Sequence, residues 1–162
     1  MSNQRETAEV VRQVHERFRG HGLTLSVAES CTGGLISHCL TELAGASAFF
    51  HAGVVSYSVE AKKIILGVSE DTISRWGVVS EQTAREMAWR VRLISKTDYA
   101  VSSTGNLGPD VLDGKERGLV YMAVSAEKGL FSRELRLSGD RKTNKEAASL
   151  AALRLLLEVM ER

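Results

Sequence analysis

The sequence predicts an α/β protein, a three-layer α/β/α sandwich built on a mixed, mostly parallel sheet of about five strands. Three observations predict it. Short strand-like runs alternate with helix-period runs through most of the chain, as crossover connections between parallel strands require. The last two strand-like runs are instead joined by Glu127-Lys128-Gly129, the spacing of a hairpin. Turns rich in Ser, Thr and Gly follow several of the strands, and ligand sites of α/β sheets gather at the carboxyl ends of strands.

Each element follows from local pattern. Glu6 to Arg19 reads as an amphipathic helix, with Val10, Val11, Val14 and Phe18 on one face, and Gly20 and Gly22 end it. Leu23 to Ala28 is the first strand. Leu35, Ile36, Cys39, Leu40 and Leu43 recur at helical spacing after it. Gly53 to Ser58 is the second strand, and Glu60 to Leu66 a short helix closed by Gly67. A helical turn over Ser69 to Trp76 has Ser69 as N-cap and Gly77 as terminator. Ser80 starts a longer helix whose buried stripe is Ala84, Met87, Ala88, Val91 and Ile94. Asp98 to Ser103 is the third strand, Gly118 to Ala126 and Leu130 to Leu137 the hairpin, and an apolar helix follows Asp140.

Composition narrows the function classes. A chain of 162 residues without internal repeat or linker is expected to form one domain over 1–162. Its formal net charge of +1 carries no basic footprint, so nucleic acid is not an expected partner. No apolar run reaches membrane-spanning length, and the N-terminal MSNQRETAEVV has no apolar core, so the expected home is the cytoplasm. Cys31 and Cys39 match neither a disulfide framework nor a zinc-ligand spacing. No metal and no cofactor are expected. The apolar excess of the last helix, together with Trp76, Trp89 and Phe131, predicts a homodimer.

Three stretches carry candidate chemistry. In Ala44 to Lys63, Ser47 sits among small residues, and Tyr57 and Lys62 follow a strand. A serine becomes a nucleophile when a neighbour takes its proton, and a lysine can do so where burial keeps it neutral. Spacing by itself favours the plainer arrangement, in which Ser47 caps a turn and Lys62 is solvated. In the second stretch, Ser30, Thr32, Gly33 and Gly34 lie between a strand and a helix, where backbone N–H groups and the helix dipole favour an anion. Simple helix capping explains that stretch equally well. In the third, Thr104 precedes Gly105 and Gly108, glycines that let backbone come close to a ligand. Arg141 near the start of the last helix runs against the dipole preference and is a candidate anion ligand, or a solvated arginine.

The segments Ala28-Glu29-Ser30-Cys31-Thr32-Gly33-Gly34, Tyr57-Ser58-Val59-Glu60-Ala61-Lys62, Gly77-Val78-Val79-Ser80 and Gly139-Asp140-Arg141, with Ala44 to Phe50, resemble the competence/damage-inducible CinA C-terminal domain family over essentially the whole chain. The family includes bacterial nicotinamide mononucleotide deamidases. The resemblance implies a metal-free amidohydrolase that converts nicotinamide mononucleotide and water to nicotinic acid mononucleotide and ammonia with a Ser/Lys dyad. Matched to the family's Gly-Ser-Ser-x-Trp-Phe stretch, the nucleophile falls on Ser47, its base is Lys62, and further active-site positions fall on Ser30, Tyr57 and Thr104. The family's Gly-Ile-Ala-Gly-Pro-x-Gly-Gly loop and the Lys-Pro-Val-Gly after it are altered here to Gly105 to Leu112 and Lys115-Glu116-Arg117-Gly118. Lys145 stands where arginine is usual. Val111 and Leu112 in place of a glycine pair are expected to narrow the pocket wall and weaken or abolish turnover. The alternative is therefore a paralogue that binds a nucleotide as a regulatory module.

Overall fold

The computed structural model describes residues 2–162; Met1, the first residue of the N-terminal run read above, lies outside them. The elements, in chain order, are helix α1 (Ser2–His21), strand β1 (Leu25–Glu29), helix α2 (Leu35–Glu42), a 3-10 turn (Ala46–Ala48) and strand β2 (Phe50–Val55). Helix α3 (Val59–Ala61) continues into a π-helical turn (Lys62–Leu66), followed by α4 (Glu70–Trp76) and α5 (Glu81–Ser95). Strands β3 (Tyr99–Gly105), β4 (Leu119–Ala126) and β5 (Gly129–Arg136) precede the last helix, α6 (Arg141–Glu161).

The sheet order is β2-β1-β3-β4-β5. β1 is parallel to both β2 and β3, β4 is antiparallel to β3, and β5 is antiparallel to β4. All strands but β4 thus run one way, and the expected mixed, mostly parallel sheet between two helical layers is the one found. Side chains alternate across it. Leu25 and Val27 of β1, with Val101, Val120, Met122 and Val124, meet α1, α2 and α6 in the larger core cluster. Ala28 and Ala100 face the opposite way, onto Met87 and Val91 of α5 and Leu66 of the π turn.

The helix ends follow local chemistry. Ser69, Ser80 and Asp140 cap their helices by accepting from the N–H groups of Thr72, Thr83 and Thr143. Gly67 stops the π turn at φ 75°, where a β-carbon would be strained. α6 is apolar on several sides because it lies between the sheet and α1, with Leu150, Leu153, Leu155, Leu156 and Val159 buried. Its apolar excess is therefore satisfied within the chain, which corrects the ground on which it was expected to drive dimerisation.

Every strand differs from expectation by one to three residues at one or both ends, and at two places the pairing shows why. β2 begins three residues earlier than Gly53, because Phe50 and Ala52 pair with Leu25 and Ser26 of β1. The hairpin turn holds only Glu127 and Lys128, since Gly129 already pairs with Ala126.

Candidate active site

Because β1, β2 and β3 are parallel, the turns after them lie on one edge of the sheet. Two backbone hydrogen bonds hold them level: Ser30 N–H donates to the Ser103 carbonyl (3.0 Å) and Ser56 N–H to the Glu29 carbonyl (2.8 Å). Above this edge stands Lys62. Its Nζ donates to Ser30 Oγ at 2.8 Å, to the Ser56 carbonyl at 3.0 Å and to the Tyr57 carbonyl at 3.5 Å. The side chain is only 2% exposed and has no carboxylate partner within salt-bridge distance among the described residues. Burial lowers the Lys62 pKa from 10.5 to about 8, against the weaker opposing pull of Cys31 and Asp113. The π-helical turn presents this lysine, a backbone irregularity frequent at functional sites.

The structure does not bring Ser47 to Lys62. Ser47 is exposed in the 3-10 turn before β2, whereas Lys62 follows β2's other end. The six residues of β2 span about 20 Å between them. The serine that meets the lysine is Ser30, which the sequence reading assigned to binding.

The Ser30–Gly34 turn also differs from the expected anion cradle. Glu29, fully buried at the end of β1, folds its carboxylate over the start of α2. It accepts from the N–H groups of Gly34, Ile36 and Ser37 and from the hydroxyls of Thr32 and Ser37, at 2.6 to 3.1 Å. The helix terminus is thus neutralised from within, and Thr32 is committed to Glu29 and to Ser103. The Glu29 side chain, which holds the turn that carries Ser30, is the residue the sequence reading passed over. An acid between a strand and a Ser/Thr/Gly turn that opens a helix is the signal that points to it.

Thr104 lies at the same edge, 2% exposed, but its hydroxyl donates to the Val78 carbonyl (2.7 Å) rather than toward Lys62. Tyr57 reaches Lys62 through its carbonyl; its phenol accepts from Arg141 Nη2 (2.7 Å), and Arg141 Nη1 donates to the Gly108 carbonyl (2.6 Å). Gly105 has no room for a side chain, since a β-carbon would lie 2.7 Å from the Leu119 carbonyl. Burial pushes the Cys31 thiol up to about 12 and the Cys39 thiol up to about 11, which keeps both protonated at neutral pH and leaves Ser30 as the nucleophile candidate at this edge.

The altered loop is pinned down. Asn106 accepts from Leu112 N–H and donates to the Leu112 and Lys115 carbonyls, Asp113 accepts from Val79 N–H, and Lys115 donates to the Trp76 and Val79 carbonyls. Val111 and Leu112 are 45% and 55% exposed. Two cavities of about 560 Å³ open beside α1, one between it, α2 and the α6 residues Glu146 and Ser149, away from Ser30 and Lys62. No described cluster of His, Cys, Asp and Glu could hold a metal, and no described helix is long and apolar enough to cross a membrane.

The CinA C-terminal domain family matches residues 7–160. A putative competence-damage inducible protein of Caldicellulosiruptor saccharolyticus is 47% identical over 144 residues, covering 88% of this chain and 35% of the relative. A CinA-like protein of Shewanella sediminis is 42% identical over 141 residues, covering 86% and 33%. The chain thus spans about a third of the length of these curated relatives. Among solved structures, the competence/damage inducible protein CihA of Agrobacterium tumefaciens superposes with a TM-score of 0.91 at 38% identity, covering 94% of both chains. The competence damage-inducible protein A of Klebsiella pneumoniae subsp. pneumoniae superposes at 0.93 and 30%, covering 96% of this chain and 98% of that one. With its fold matched by these structures and residues 7–160 by the family's model, the chain belongs to the CinA C-terminal domain family.

Proposed function

We propose that the protein is an amidohydrolase acting on nicotinamide mononucleotide, with Ser30 as nucleophile and Lys62 as its base. The observation that carries this reading is the 2.8 Å contact between Ser30 Oγ and a buried lysine whose pKa is lowered to about 8. At pH 7 about a tenth of such a lysine is neutral, and the pyridinium of a bound substrate raises that fraction.

Neutral Lys62 takes the Ser30 hydroxyl proton as Oγ forms a bond to the carboxamide carbon. The tetrahedral oxyanion is held by N–H groups of the turn, those of Cys31 and Thr32, which Glu29 does not take; such donors are each worth about a hundred- to a thousandfold in rate. As the C–N bond breaks, Lys62 returns the proton to the departing ammonia, leaving an ester on Ser30. Water, deprotonated by Lys62, then cleaves the ester to the carboxylate product and restores the serine. The Ser56 and Tyr57 carbonyls aim the ammonium nitrogen, and Arg141, braced by Gly108 and the Tyr57 phenol, takes the substrate phosphate.

The alternative, a nucleotide-binding module without turnover, rests on Val111 and Leu112 standing in place of a glycine pair in this loop. A cytoplasmic location and a homodimer remain part of this proposal. The test is ammonia release from nicotinamide mononucleotide by the protein and two variants. Ser30→Ala should abolish it and Ser47→Ala should leave it intact. Loss on Ser47→Ala with activity retained in Ser30→Ala would overturn the assignment.

A further inference from the structure

Three cations without a carboxylate partner among the described residues, Arg117, Arg141 and Lys145, gather where the Gly108 loop, the start of α6 and the Ser30–Gly34 turn meet. Their positions interlock. Arg141 Nη1 donates to the Gly108 carbonyl, and a β-carbon on Gly108 would lie 2.5 Å from Arg117 Nε, so both guanidiniums flank one glycine. Arg117 Nη2 also donates to the Gly139 carbonyl (3.3 Å), just before α6. Lys145 lies one helical turn beyond Arg141, and its Nζ would be 3.4 Å from a β-carbon on Gly33, three residues from Ser30.

Like charges one turn apart on a helix repel, and a third cation beside them adds to the cost. Backbone carbonyls orient the two arginines without neutralising them. Arg141 and Lys145, about 5–6 Å apart at their β-carbons, suffice for one phosphate. Arg117 arrives from a different element, the loop before β4, and is surplus to that need.

We propose that Arg117 forms a second phosphoryl subsite, so that the pocket prefers ligands carrying a diphosphate over monophosphates. This rests on the reading of Arg141 as the phosphate ligand. One charge-assisted hydrogen bond to the added phosphoryl group corresponds to about tenfold or more in affinity.

Calorimetric titration with inorganic phosphate and inorganic pyrophosphate tests it. The unmodified protein should bind pyrophosphate at least about tenfold more tightly than phosphate. Arg117→Val, which loses only one exposed side-chain hydrogen bond, should collapse that ratio, and Arg117→Lys should retain part of it. Lys128→Ala removes the same charge at the opposite edge of the sheet, in the β4–β5 turn, and should leave the ratio unchanged. Equal affinity for the two anions, a ratio that survives Arg117→Val, or an equal loss in Lys128→Ala would overturn the inference. Deamidation of nicotinamide mononucleotide without a pyrophosphate preference defeats this inference only. A preference that depends on Arg117, without deamidation, defeats only the amidase reading.

Discussion

Replacing Lys62 by methionine should abolish turnover, and it should also change the pH dependence of stability by an amount the structure sets. In the fold the lysine titrates near pH 8, in the unfolded chain near 10.5, a difference of about 2.5 units or about 3 kcal/mol. Below pH 8 both states hold the proton, so the cost of burying the ammonium is constant and fully present. Between about pH 8 and 10.5 the unfolded chain holds more protons than the folded one, so stability rises with pH across that window. Lys62→Met abolishes this rise. It also leaves the Ser56 carbonyl and the Ser30 hydroxyl without their Nζ partner, at about 1–3 kcal/mol each, so a measurement at pH 7 alone mixes opposing terms. That orphan cost does not titrate. The Cys31 thiol, raised to about 12, gives stability falling with pH above about 9, but it is present in both proteins and largely cancels in their difference. Denaturant unfolding followed by circular dichroism at pH 7 and pH 10.5 should therefore show the wild type gaining about 3 kcal/mol relative to the variant. A difference that does not move with pH would refute the depressed lysine and, with it, the general base. The same base implies a kcat/KM that rises with pH to a limb near 8, displaced downward for kcat if the bound pyridinium favours neutral lysine.

Two further outcomes follow from the geometry. Glu29→Gln puts an amide N–H against donors that now share one carboxylate, and should destabilise the protein by about 3 kcal/mol or more in urea unfolding; a loss below about 1 kcal/mol would show that the five hydrogen bonds do not hold the Ser30 turn. Ile64 and Ile65 on the π turn and Leu93 and Ile94 at the end of α5, which packs on that turn, are exposed together, so light scattering should return a dimer mass, and a monomer at micromolar concentration would dismiss self-association.

Much of the fold was legible because its signals are local. Ser69, Ser80, Gly67 and Gly77 mark helix ends by satisfying terminal N–H groups or by adopting positive φ, and both devices show in single residues. The boundaries of β2 were not, because that edge strand is set by its register with β1 rather than by any feature of its own residues. The dimer argument drawn from α6 failed for a related reason. An apolar helix looks in excess when only one sheet face is counted, and here α1 covers a further side of it.

The expected Ser47–Lys62 pairing does not form, for a reason the topology makes plain. Ser47 and Lys62 are close in sequence, but they flank a single strand, and a strand carries the chain from one edge of the sheet to the other. Residues on either side of one strand are thereby held apart. Residues that follow different parallel strands are brought level, as Ser30 after β1 and Ser56 after β2 are, and Lys62 needs only the short α3 and π turns to fold back over both. The 32 positions between Ser30 and Lys62 thus close to a 2.8 Å contact while the shorter separation stays open. The convergence of the strand-end turns was itself readable, and applied consistently it selects Ser30 over Ser47. What it could not select was which donors of the Ser30 turn remain for a substrate, because that depends on Glu29, whose carboxylate turns inward to the helix terminus that was expected to bind an external anion. In the proposed reaction the substrate phosphate is thereby left to the cations of the loop and of α6, among which Arg141 is held by Gly108 and Tyr57.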